Sequence, residues 1–278
     1  MVTNLLMHAC NAEKVISHPA VQGVSLTGSE RAGSAVAAIA GKYLKKCVME
    51  LGGSDAFIVT SDTSIPDIID IALMAKMFNA GQVCTGAKRY IIVKDKYQEF
   101  LKAFSQGMAA LKAGDPTALE TDYAPMVNEQ EADTLLSIIE QAREQGATVY
   151  LGGQRLPMKG AWLEPTILTD VTPQMDIYKL ELFGPVAMVF CVENEEQAIR
   201  LANDTCFGLS SSVMCRNLEN AQILASKLET GVAFINNMTI SEPGLSFGGI
   251  KNSGFGRELG RAGVEEFVNQ KLIRIFYE

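Results

Sequence analysis

Cys84 sits in the stretch NAGQVCTGAKR, a glycine-flanked turn between a helical pattern and the strand-like YIIV. A thiol attacks an electrophile only as the thiolate, and the two histidines, His8 and His18, both lie far upstream of it. Backbone N–H groups or the charge of a bound cationic cofactor must therefore favour the thiolate, unless Cys84 is an inert buried thiol, as most free cysteines are. A second chemical residue is Glu50, which ends an apolar segment just before two glycines in MELGGSD. Burial there raises a carboxylate's pKa toward neutrality, where it can act as a general base; the alternative is a solvated carboxylate at a strand end. The stretch LTGSERAG, Leu26 to Gly33, is a Gly-Ser turn entering a helix, and such a turn can present N–H groups and the helix dipole to a pyrophosphate. In ELFGPV, Glu181 to Val186, an acid precedes a Phe-Gly-Pro turn by two residues.

These residues need a scaffold. A chain of 278 residues with 47% hydrophobic and 20% charged content is long enough for one large or two ordinary domains with a substantial core. Its net charge of -8 and scattered Lys and Arg leave no basic footprint for a nucleic acid. The six cysteines form no C-x-x-C pair and only two histidines could join them, so no metal site is expected. With no signal-like N-terminus, reduced thiols in the cytoplasm are expected, and no apolar run approaches the roughly 18 to 20 residues of a membrane span.

Along the chain, helical patterns alternate with short apolar runs. Ser64 with Asp67 three residues on looks like the start of a helix over PDIIDIALMAKMF, whose positions 68, 69, 72, 73 and 77 share a face. A helix is predicted from Tyr97 to Leu111 and another from Glu129 to Glu144, halted at Gly146. AFIVT, YIIV, ATVYL, AMVFCV, SSSVM and VAFIN read as strands. Strands separated by amphipathic helices require crossover connections, which gives an α/β fold with a mostly parallel sheet and helices on both faces.

Glu50 and Cys84 lie 34 residues apart, and Cys84 and Glu181 lie 97 apart. Together with LTGSERAG and the C-terminal FGGIKNSGFGRE, this spacing resembles the aldehyde dehydrogenase superfamily from about Glu13 onward. LKKCVMELGGSD and SGFGREL are most similar to its succinate-semialdehyde dehydrogenase branch. The resemblance implies that Cys84 is the nucleophile, forming with an aldehyde a thiohemiacetal that passes hydride to NAD or NADP, and that Glu50 is the base activating the thiol or the deacylating water. By the same resemblance Thr27, Gly28, Ser29, Gly33 and Leu51 hold the dinucleotide, Glu181 bonds a cofactor ribose and Phe183 lies near the nicotinamide. Phe78 and Phe247 face substrate, Glu258 matches an acid in a proton-exit relay, and Asn236 and Asn237 lead into the substrate-facing loop. Many relatives in that branch carry an arginine where this chain has Phe78, so a neutral or apolar aldehyde competes with succinate semialdehyde. Arg89 reads as a surface or ion-paired arginine at a strand start.

The implied organisation is a dinucleotide-domain remnant over residues 1–50, a catalytic domain over 51–252, and a tail over 253–278. In relatives, the tail's apolar end adds a strand to a neighbouring subunit, implying a homo-oligomer. Relatives also carry a long N-terminal portion, with an asparagine of the oxyanion hole, ahead of the segment this sequence matches. The alternative expectation is therefore a truncated, non-catalytic fragment or pseudoenzyme that keeps the fold and at most esterase activity, without aldehyde oxidation. Nitrophenyl-ester hydrolysis, followed by rapid mixing, is expected to disappear in Cys84→Ala. In Glu50→Gln it should keep its initial burst and lose mainly the slower deacylation phase.

Overall fold

A computed structural model describes residues 2–277. A short helix, α1 (Ala12–Ile16), precedes β1 (Gly23–Thr27), α2 (Glu30–Lys42) and β2 (Lys46–Glu50). Next come β3 (Asp55–Val59), α3 (Ile65–Met77), β4 (Ala87–Val93), α4 (Lys94–Ala110), α5 (Glu129–Glu144), β5 (Thr148–Leu151), β6 (Thr166–Thr169), β7 (Val186–Val192) and α6 (Glu195–Asn203). β8 (Ser210–Met214), α7 (Leu218–Ser226), β9 (Val232–Ile235), β10 (Gly254–Phe255) and α8 (Gly260–Glu265) follow.

The strands form two sheets. The larger has seven strands in the order β5-β6-β7-β4-β3-β8-β9, all parallel except for β5 against β6. The smaller has the order β1-β2-β10, with β10 antiparallel to β2. In the large sheet the side chains split between two cores by alternation. Ala56, Ile58, Ile91, Met188 and Val213 pack with α5, α6 and α7 on one face. Phe57, Val59, Tyr90, Ile92 and Val189 pack with α3 and α4 on the other. Because both faces are covered, the central strands read as unbroken apolar runs rather than alternating ones. The Tyr90 and Phe104 rings pack tilted by 37° with centroids 4.6 Å apart, and the Tyr90 hydroxyl donates to the Ala72 carbonyl at 2.7 Å. This settles the one polar atom in that aromatic cluster. No helix among the described residues is long and apolar enough to cross a membrane.

The expected α5 matches its observed bounds, and Gly146 ends it in a left-handed conformation, with Ala147 N–H returning to the Ala142 carbonyl at 2.9 Å. Two expectations need amendment. Ser64 does precede α3, but its side chain caps nothing; Pro66 in the first turn removes one N–H that would otherwise need a partner. Helix α4 starts at Lys94 rather than Tyr97, directly from the end of β4. Cys191 is exposed near the end of β7.

Glycine is demanded where two loops touch. Gly81 has φ +74°, and a Cβ there would run into the Gly184 backbone carbonyl, whereas a Cβ on Gly41, near the end of α2, would meet nothing within 4 Å. Urea titrations should therefore give opposite signs. Gly81→Ala is expected to lose at least ~2 kcal/mol, and Gly41→Ala to gain roughly 0.5 kcal/mol.

Candidate active site

The smaller sheet delivers Glu50 at the end of β2, and the following residues Leu51 to Ser54 cross to β3 in the larger sheet. Gly52 and Gly53 make this crossing possible. A Cβ on Gly52 would collide with the Glu181 carboxylate, and one on Gly53 would sit 2.8 Å from the Cys84 carbonyl oxygen. The Gly53 N–H donates to Glu181 Oε1 at 3.0 Å. The loop is braced from behind by Ser253, whose hydroxyl donates to the Gly52 carbonyl at 2.6 Å and whose carbonyl accepts from Leu51 N at 3.0 Å. Glu50, Glu181 and the Cys84 turn thus converge on one pair of glycines.

Cys84 follows three consecutive left-handed residues, Asn79, Ala80 and Gly81. Left-handed backbone disfavours residues with a Cβ by ~1 kcal/mol or more each, so the turn needs external support. Asn79 Nδ2 donates to the Gln82 carbonyl at 3.1 Å, and Gln82 Nε2 returns a bond to the Asn79 carbonyl at 3.2 Å. Gln82 Oε1 accepts from Val127 N at 2.8 Å, tying the turn to the approach to α5. The half-buried Cys84 thiol is pushed up by burial. Lys88 pulls it down, Asp55 pushes it up, a bond from the Thr85 N–H pulls it down, and Glu181 pushes it up.

Glu50 is 4% exposed, and neither carboxylate oxygen has a hydrogen-bond partner. Burial lifts its pKa to about 7, the nearby Glu258 charge adds to the rise, and Arg257 opposes it. A carboxylate in that condition holds a proton near neutrality and can take one from water. Phe247 exchanges backbone bonds with Glu258, and a Cβ on the adjacent Gly248 would approach Glu50 Oε1 to 2.7 Å, so the C-terminal FGG segment forms the wall behind Glu50.

Two clefts adjoin these residues. One, of about 370 Å³, is lined by Phe78, Val83, Thr85, Met238, Thr239 and Ser241 among others. Phe78 lines it, Phe247 does not, and among the described residues no basic side chain does. The other, of about 340 Å³, lies between α2 and the small sheet, with Gly33, Leu51, Lys251 and Phe255 in its walls. Thr27, Gly28 and Ser29 are exposed at the entry to α2, where Ser29 caps the helix by accepting from Ala32 N at 3.3 Å. Gly33 has no room for a Cβ because Leu51 lies against it. Exposed amides at the start of a 13-residue helix, at the C-terminal ends of two parallel strands, suit the pyrophosphate of a dinucleotide. Glu181 is 21% exposed and Phe183 46%, so both are partly open to a ligand. The residues present therefore fit NAD or NADP.

Other expected positions serve the scaffold. Asn236, itself left-handed, brackets Cys215 by accepting from its N–H and donating to its carbonyl, both at 2.8 Å. Asn237 Oδ1 accepts from Met238 N at 2.9 Å. Arg89 is not at the surface: it is buried in the central strand β4 and donates to the carbonyls of Ser54, Leu201 and Ala202 at 2.8, 2.9 and 2.9 Å. Reading the sequence missed Lys88, which is fully buried, donates to the Val83 and Cys84 carbonyls at 2.8 and 2.6 Å, and lies 3.5 Å from Glu181 Oε1. It also missed Asp55, which is buried against Ser210 and lifted to about 6 by burial. Their signal was a charged residue at the start of an apolar run, Asp55 directly before AFIVT and Lys88 ahead of Arg89 and YIIV.

A model of the aldehyde dehydrogenase family matches residues 2–273. The chain is 49% identical over 274 residues to a succinate-semialdehyde dehydrogenase (NADP+) of Deinococcus radiodurans, a match covering 99% of this chain and 57% of that protein. It is 44% identical over 271 residues to a probable succinate-semialdehyde dehydrogenase (NADP+) of Synechocystis sp., covering 98% of this chain and 60% of the relative. Succinic semialdehyde dehydrogenase from Streptococcus pyogenes, solved with NADP+, superposes with a TM-score of 0.96 at 41% identity, covering 98% of this chain and 60% of that one. Betaine aldehyde dehydrogenase from Staphylococcus aureus, solved with NAD+, superposes at 0.88 with 31% identity, covering 96% and 55%. The chain thus spans about three fifths of the length of the relatives it matches.

The raised pKa of Glu50 has a sign that can be tested. As pH climbs from the ordinary carboxylate range near 4.5 to about 7, the unfolded chain releases this proton while the folded chain retains it. Stability conferred by the protonated form is therefore present at low pH and lost across that window. Glu50→Gln should escape the loss, so denaturant titrations should show it gaining on the wild type by on the order of 3 kcal/mol between these limits.

Proposed function

Because the chain belongs to the aldehyde dehydrogenase family, we propose that it carries the catalytic portion of an NADP- or NAD-dependent oxidation of an aldehyde to a carboxylic acid. The observation behind this reading is the convergence of Glu50, Glu181 and the Cys84 turn on Gly52 and Gly53. Cys84 Sγ adds to the aldehyde carbon, giving a thiohemiacetal. A dinucleotide held there would supply the acceptor for the hydride leaving that carbon, so that Cys84 carries the resulting thioester. Glu50, buried and without a competing hydrogen-bond donor, takes a proton from the water that hydrolyses the thioester. Thr27, Gly28, Ser29, Gly33 and Leu51 would hold the pyrophosphate side of the dinucleotide, with Glu181 at a ribose and Phe183 beside the nicotinamide.

Two substrate readings have separate support. The curated relatives named above favour succinate semialdehyde and NADP. The cleft favours a neutral or apolar aldehyde, because its walls here offer Phe78, Met238 and the hydroxyls of Thr239 and Ser241 without a cation for a distal carboxylate. Phe247 would act from behind Glu50 rather than from the walls of that cleft. The proposed units are 1–50, 51–252 and 253–278, a division supported by the separate small sheet, with β10 tying the start of the third unit to the first. We also propose a cytoplasmic homo-oligomer. The exposed apolar Leu272, Ile273, Ile275 and Phe276 are a surface for self-association, and a reduced Cys84 suits the cytoplasm.

Incubation with NADP or NAD and either succinate semialdehyde or hexanal, followed by acid quench and intact-mass analysis, should give reduced dinucleotide and an acyl adduct at Cys84. Glu50→Gln should accumulate that adduct. Neither reduced dinucleotide nor adduct with any pairing would overturn the reading in favour of a non-catalytic chain.

A further inference from the structure

The thiol of Cys84 has no imidazole beside it, yet the turn that carries it is gripped from below by a buried ammonium. Lys88 Nζ is wholly removed from solvent, and its neighbours are the Val83 carbonyl at 2.8 Å, the Cys84 carbonyl at 2.6 Å and Glu181 Oε1 at 3.5 Å. An ammonium has three donors, and here they are matched by two carbonyls and one carboxylate. Burying such a group costs several kcal/mol unless its partners are well placed, so a lysine is a poor choice where packing alone is required.

The peptide geometry says what the grip does. The Cys84 carbonyl and the Thr85 N–H belong to one planar trans unit and point in opposite directions. Holding the Cys84 oxygen inward fixes the plane of the Cys84–Thr85 peptide, and with it the Cα from which the thiol projects. We propose that Lys88 is the positioning residue of the Cys84 turn: through the Val83 and Cys84 carbonyls it fixes the peptide that carries the thiol, and it supplies a fixed positive charge that favours the thiolate. This rests on the reading of Cys84 as the nucleophile. The other charged groups acting on the thiol are Asp55, at the start of β3, and Glu181, and both oppose Lys88. Lys76, from α3, is a second buried lysine whose ionisation is opposed by burial and by the Lys88 charge; its Cε lies beside Gly81, and its Nζ donates to the Val186 carbonyl at 3.0 Å. Lys88 is thus held between the Cys84 turn it orients and the Glu181 carboxylate proposed to meet a ribose, so a ligand at Glu181 would act on the thiol through one side chain.

Iodoacetamide alkylation of the full chain, read at the Cys84 peptide by mass spectrometry across neutral to alkaline pH, tests this without aldehyde or dinucleotide. Lys88→Gln is expected to move the midpoint up by about one pH unit, slowing alkylation near neutrality ~10-fold. Lys88→Arg, which keeps the charge, should retain the wild-type midpoint. An unchanged midpoint in Lys88→Gln would overturn the proposal. So would an upward shift in Lys88→Arg, which decides the matter even if the glutamine variant fails to fold. A purely structural lysine would change the extent of labelling without displacing the curve along the pH axis. If the midpoints move as expected but Cys84 forms no acyl adduct, the role of Lys88 stands and the nucleophile reading falls.

Discussion

The structure turns on the absence of two β-carbons. Where the chain passes from the small sheet to the large one, Gly52 lies against the Glu181 carboxylate and Gly53 against the Cys84 carbonyl. Any side chain at either position would push apart the segments that carry the chemical groups. Close packing leaves no slack to absorb such a shift, so the separation of Glu50, Glu181 and Cys84 is set by backbone contact rather than by flexible side-chain reach. The same device recurs at the rear of the site. Gly254 abuts the Met49 carbonyl, and Gly248 lies near Glu50 Oε1, so the C-terminal glycines and those after Glu50 close on the acid from two sides.

Much of the scaffold was legible because its signals are local. Buried parallel strands announce themselves as apolar runs, and α5 carries both its cap residue Asn128 and its terminator Gly146. What was not legible depended on distant partners. SSSVM contains three serines, yet β8 is an interior strand in which the Ser210 hydroxyl is satisfied by Asp55 and Thr239 and the Ser211 hydroxyl by Thr230. β10 has two residues and exists only because β2 is there to pair with it. The left-handed Asn79 and Ala80 carry no periodic signal at all. Arg89 looked like a surface charge because its three carbonyl partners come from segments up to 113 positions away.

The candidate site shows the same division. Cys84, Glu50 and Glu181 stood out in the sequence through their glycine context and the family resemblance, but their electrostatics did not. Whether a carboxylate beside two glycines is solvated or buried depends on what folds over it, and here the covering comes from residues 248–258. Burial opposes ionisation at both Glu50 and Cys84, so the region is poised by charges placed within it, Arg257 for one and Lys88 for the other.

The long-range braces around the Glu50 loop also bear on how the candidate site is assembled. Ser253 reaches Gly52 across 201 positions, and Gly53 reaches Glu181 across 128. Contacts of such separation are closed late, after local helices and hairpins, because the entropy of loop closure is met only when most of the chain is in place. Until then Cys84 is one of six comparable thiols on a nascent polypeptide. As the proposed nucleophile, its chemical individuality would arise at the final step of assembly, which would make the selectivity of thiol labelling a clock for folding.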